Sequence, residues 1–69
     1  MAATRTLAEF TVPLGGQRIE LQEMDYGTGA MPLLRIRIRE GKRFTVFEID
    51  AQSARRWAEE MLAWSRKSQ

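Results

Sequence analysis

Residues Leu34 to Asp50 constrain the fold more than any other segment. Leu34, Ile36 and Ile38 alternate with Arg35, Arg37 and Arg39; Glu40-Gly41 interrupts the run, and Arg43-Phe44-Thr45-Val46-Phe47-Glu48-Ile49-Asp50 resumes it. A period of two sends successive side chains to opposite faces of a strand. The hairpin therefore specifies a sheet with one aliphatic face to bury and one arginine-bearing face left open.

Two registers satisfy this hairpin. With Glu40-Gly41 as a two-residue loop, Ile36 pairs with Thr45 and Leu34 with Phe47, so Phe47 and Ile49 are buried while Phe44 and Val46 join the arginines outside. With Arg39-Glu40-Gly41 as a three-residue loop, glycine taking the left-handed position, Phe44 and Val46 are buried instead. The first is preferred, because Ile49 directly precedes the helix described below and should anchor it.

Upstream, Phe10 and Val12 alternate with Glu9 and Thr11, Gly15-Gly16 supplies a turn, and Ile19 and Leu21 alternate with Glu20 and Gln22. A two-residue Gly15-Gly16 loop sets Val12 opposite Ile19 and Phe10 opposite Leu21, with Thr11 facing Glu20. Pro13 suits the end of an edge strand, and Pro32 the beginning of a third strand. The connection Tyr26-Gly27-Thr28-Gly29-Ala30 leaves that third strand's register open by a residue or two. Asp50 then caps a helix over residues 51–67, a stretch free of Gly and Pro. Ala54, Trp57, Ala58, Met61, Leu62, Trp64 and Ser65 form an arc of roughly 160° on it, wide enough to cover a sheet, with Trp57 buried and Trp64 near the rim.

At 69 residues the chain can form one domain with one small core, of marginal stability unless something reinforces it. Cys and His are both absent, which removes disulfides, Cys/His zinc sites, thiol nucleophiles and the usual neutral-pH base. Self-association remains as the reinforcement. Acidic residues are scattered, and the adjacent Glu59-Glu60 pair diverges by about 100° on a helix. Gly15-Gly16 and Gly27-Thr28-Gly29 lack the strand-to-helix setting of a phosphate loop. No catalytic residue, metal ligand, cofactor or small-molecule substrate is expected, and the protein is read as no enzyme. The first residues, Met1-Ala2-Ala3-Thr4-Arg5, lead into no apolar run of signal-peptide length, and no stretch approaches a membrane span. A soluble, cytoplasmic protein is expected.

The net charge is +2 and arginine dominates the basic residues, a bias that suits phosphate and carboxylate equally. On the open face, Arg18, Arg35, Arg37, Arg39 and Lys42 are candidates to track the phosphates of a single-stranded nucleic acid while an outward Phe44 stacks a base. The competing expectation is a solvated face laced with ion pairs, since Glu9, Glu20 and Glu48 share it and Glu20 should stand beside Arg35 or Arg37. Phe44, Val46 and Trp64 are the candidates for a dimer or partner surface. In a meander the fourth strand is an edge, and Phe44-Thr45-Val46-Phe47 is β-prone and uncharged, the kind of edge that a second subunit covers.

Four antiparallel strands followed by one helix is similar to the subunit topology of PUR-type and Whirly single-stranded DNA-binding proteins, and that likeness implies association through such units. The segment from Leu33 to Trp64 resembles short uncharacterised bacterial proteins grouped as a domain of unknown function, which implies no activity. The expectation is an α+β domain, ββββα, spanning residues 1–69. A four-stranded antiparallel meander carries its helix on one face, residues 1–5 and 66–69 fray, and the whole acts as a homodimeric interaction module or, alternatively, as a binder of single-stranded nucleic acid.

Overall fold

A computed structural model describes residues 3–68, in which β1 (Ala3–Thr11), β2 (Arg18–Asp25), β3 (Leu33–Glu40), β4 (Arg43–Ile49) and α1 (Ala51–Lys67) follow one another along the chain. The strands make one antiparallel sheet in the order β1-β2-β3-β4. This is the expected α+β meander, with β1 and β4 at its edges. Residues 3–5 and 66–67, expected to fray, belong to β1 and α1; residues 1, 2 and 69 lie outside the described residues.

Both hairpins hold the expected faces in a register two residues away from the expected one. Across β3 and β4, Ile36 pairs with Phe47 and Leu34 with Ile49, and Glu40 pairs with Arg43. The loop is thus Gly41-Lys42, not Glu40-Gly41. Gly41 takes a φ of 57° and Lys42 stays negative, the pattern of a type II′ turn, which wants glycine first. Across β1 and β2, Phe10 pairs with Ile19 and Ala8 with Leu21, and Glu9, not Thr11, stands opposite Glu20. Val12 and Gln17 close this loop: the Val12 N–H donates to the Gln17 carbonyl at 2.8 Å, and the Gly16 N–H donates to Val12 O at 2.7 Å. Pro13, with no N–H for a ladder, is better placed in the loop, and Gly16 supplies the left-handed residue at φ 73°. A slip of two preserves side-chain alternation, so every inward residue stays inward.

The inner face gathers Phe10, Ile19, Leu21, Leu34, Ile36, Ile38, Phe47 and Ile49 by alternation along the paired strands. Ile36, central on β3, is 5% exposed. Met24 is equally buried although alternation assigns it to the open face, where it pairs with Thr4 on one side and Leu33 on the other. The Thr4 hydroxyl lies 3.4 Å from its sulfur. Among the described residues these two are the only buried apolar side chains. β1 also carries a bulge at Leu7, between Thr6 and Ala8, which bends this edge.

The helix covers less of the sheet than its apolar arc led us to expect. Asp50 stands at the N-cap with extended backbone (φ −78°, ψ 168°), and α1 meets the sheet at β3 and through the Trp57 ring, packed edge-on against Phe47 with centroids 5.8 Å apart. No residue of α1 is buried. Trp57, expected in the core, is 49% exposed, and Met61, Leu62 and Trp64 are at least half exposed. α1 leaves β4 after a single residue, Asp50, and packs chiefly on β3, so its apolar arc stays largely exposed. The chain is correspondingly flat, 42 × 30 × 15 Å in extent. Among the described residues no helix is long and apolar enough to cross a membrane.

Because Ile36 is the one buried residue of the inner face among those described, Ile36→Ala should lower the free energy of urea unfolding by about 2–4 kcal/mol. Ile19→Ala, at a partly buried position, should cost clearly less at the same protein concentration. Equal losses at the two positions would contradict this placement of the core.

Candidate interaction surfaces

The open face is built from the outward positions of all four strands. Alternation and the observed pairings bring Arg35 opposite Glu48, Arg37 opposite Glu20 and Val46, Arg39 opposite Arg18 and Phe44, and Glu9 opposite Glu20. Of the two partners left open for Glu20, the structure selects Arg37. Arg37 Nη1 donates to Glu20 Oε1 at 2.9 Å, and Arg18 Nη2 to Glu9 Oε2 at 2.8 Å. Arg35 reaches Glu48 Oε2 with Nε at 3.0 Å and Nη2 at 2.8 Å. The expected lacing by ion pairs is present at all three glutamates.

Tyr26 joins the third of these pairs, and the sequence offered no sign of it. Its position between β2 and a glycine-rich connection reads as loop, yet its hydroxyl crosses β3 to lie 2.6 Å from both carboxylate oxygens of Glu48 on β4. An Asx turn, with the Gly27 N–H donating to Asp25 Oδ1 at 2.9 Å, shapes the chain just after it. The Tyr26 hydroxyl and then Arg35 hold the Glu48 carboxyl below the ordinary carboxylate range, and Glu48 pushes the Tyr26 hydroxyl up. The cluster pins β2, β3 and β4 together on the side away from the helix.

Arg39 is arranged differently. Its guanidinium lies over the Phe44 ring, 5.6 Å from the centroid, and its Nε donates to Gly41 O at 3.2 Å. That placement carries its charge away from Arg18 directly across the sheet, where like charges would otherwise repel. Lys42 stands in the turn, exposed. Arg18, Arg37, Arg39 and Phe44 line one open hollow of about 140 Å³ together with Glu20. Four of the six residues expected to meet nucleic acid thus converge; Arg35 is engaged by Glu48 in the separate cluster, and Lys42 is not among the lining residues. The outward strand positions hold four arginines against three glutamates, so the face is close to neutral.

The expected partner surface divides in two. Phe44 and Val46 are exposed on the open face, whereas Trp64 lies on the side of α1 that carries Trp57, seven residues away and almost in line with it. The larger apolar surface is on Trp64's side. It joins Met61, Leu62 and Trp64 of α1 with Phe10 and Leu7 of β1, all about half exposed or more, and with the partly buried Ile19, Leu21 and Ile38. The sequence pattern reads most of these as a covered core, because an amphipathic pattern does not say how much of a sheet a helix covers. Among the described residues no group of three His, Cys, Asp or Glu side chains is placed to hold a metal ion.

The chain belongs to a family of unknown function, DUF6967, whose model matches residues 1–67. No curated protein and no solved structure matches it.

Because the Glu48 carboxyl is held low in the folded chain, its contribution to stability is complete above the unfolded carboxylate pKa of about 4.3 and is lost as pH falls through the lower folded value. Tyr26→Phe removes the largest cause of that depression. An NMR titration of the Glu48 side chain should show its pKa rise toward the ordinary value in the variant; an unchanged midpoint would remove Tyr26 from the cluster.

Proposed function

We propose that this chain is a non-enzymatic interaction module that works as a homodimer, associating through the apolar side formed by the inner sheet face and α1. The observation behind this is surface area. A compact folded monomer of its 8.0 kDa exposes about 4,450 Å², whereas this chain exposes 5934 Å². Its radius of gyration is 13.8 Å against about 11 Å for a compact domain of its length. The surplus of about 1,500 Å² per chain, or about 3,000 Å² for two, falls within the range of obligate homodimer interfaces. Leu7, Phe10, Met61, Leu62 and Trp64 on the inner side are each about half exposed or more, the apolar character that such interfaces require. A chain with two buried apolar side chains among its described residues has little other means of supporting a fold.

Light scattering on the purified chain should return twice the monomer mass. Leu62→Asp places a charge in the apolar arc and is expected to weaken association by at least about 30-fold, the size of a hot-spot loss, with secondary structure retained by circular dichroism. A concentration-independent mass of 8.0 kDa for the unmodified chain would refute the proposal.

Single-stranded nucleic acid binding on the open face is the second function we propose, supported by the convergence of Arg18, Arg37, Arg39 and Phe44 on one hollow. It ranks second because Arg18 and Arg37 must each release a glutamate before meeting a phosphate. Fluorescence anisotropy with a mixed-sequence oligonucleotide at roughly 50 mM salt, where phosphate contacts are strong, should show binding that weakens with salt and vanishes when Arg35, Arg37 and Arg39 are all replaced by Ala. No binding at that salt concentration eliminates this function.

A further inference from the structure

We infer that in the homodimer the C-terminal half of α1 of each copy lies across the β1–β2 half of the other copy's inner sheet face, an arrangement that rests on the self-association proposed above. The sheet has more width than one helix can cover. Strands stand about 4.8 Å apart, so four of them with their flanking side chains present a face that calls for two helices, each about 10 Å across. One chain supplies one helix. Its own helix is attached to β4 and meets β3 and Phe47, which leaves β1 and β2, the strands farthest from the tether, without cover.

Two uncovered surfaces result, and they differ in form. One is a flat patch, with Phe10 and Ile19 paired across β1 and β2 and Phe10 half exposed. The other is a helical stripe beyond Trp57, formed by Met61, Leu62 and Trp64. A helix stripe on a sheet face is one of the stable layer packings, and two apolar helices alone would leave the sheets bare. Within one chain α1 packs chiefly on β3, and the stripe does not cover the patch. Between two chains related by a two-fold axis, each stripe meets the other's patch, and the contact is made twice. At 17 residues, α1 is about 25 Å long, enough for Trp57 to hold its own sheet while Met61 to Trp64 reach the partner's. Each sheet then carries two helices, one from each copy.

The absence of cysteine from the sequence makes the test direct. Chains bearing Phe10→Cys and chains bearing Met61→Cys, with different tags, are refolded together and mildly oxidised. A disulfide-linked pair of one chain of each kind, reversed by reductant, is the expected product. The same contact is read without substitution by isotope-filtered NMR on a mixed labelled and unlabelled sample, where intermolecular NOEs between the Met61 methyl and the Phe10 ring are expected. If the protein has a dimeric mass but shows neither the mixed disulfide nor these NOEs, the helix placement is overturned and self-association stands. If the unmodified chain is a monomer of 8.0 kDa, both are overturned.

Discussion

Everything in this fold depends on β3 being paired on both sides. Its strict alternation sends Leu34, Ile36 and Ile38 to one face and Arg35, Arg37 and Arg39 to the other, and β2 and β4 must match that division to pair with it. Ile36 is buried because it has apolar partners on both neighbours, Leu21 and Phe47. The arginines are engaged for the same reason: a central strand places each of them beside two others, and glutamates from β2 and β4 are within reach. One constraint thus produces both the small core and the neutralised face.

The open face illustrates how a basic strand can be misleading. Three arginines in six residues suggest a cationic surface, yet cross-strand pairing sets Arg35 against Glu48 and Arg37 against Glu20, and Glu9 takes up Arg18 beside them. Exposed pairs of this kind contribute little stability individually. What they do is set register, since a slip of one residue would move every glutamate to the inner face. The Tyr26–Glu48–Arg35 cluster is the most connected of them, linking β4 to a residue just beyond β2. Arg39 over Phe44 is the exception, a cation held by a ring and a carbonyl without a carboxylate.

The inner face has the opposite character. Its residues have the pattern of a core, but one helix tethered at an edge strand leaves much of that core open. A chain of this length has a high ratio of surface to volume, and the remaining apolar area exceeds what a compact monomer of its mass would show. In the homodimer proposed above, association between copies would bear on stability and function at once, since the surface that would complete the fold is the one left exposed.

Much of the fold was legible from local chemistry. Alternation identified the strands and their faces, glycines and prolines located the turns, and Asp50 with the Gly- and Pro-free stretch behind it marked α1. These signals are periodic, which is why the pairing in both hairpins differs by two residues from the one expected without moving a side chain to the wrong face. The pairing of Glu20 with Arg37, the reach of Tyr26 to Glu48 and the burial of Met24 were not legible, because each depends on which strands lie side by side and on a connection whose two glycines permit several paths. Nor was the exposure of Trp57, since an amphipathic arc states that a helix has something to bury and not how far it can reach. Sequence by itself determined the elements, their faces and the chemistry of each face, through the periods of strand and helix. Only the tertiary structure decided register, the engagement of the arginines and the surface left uncovered, because those follow from distances between segments remote along the chain.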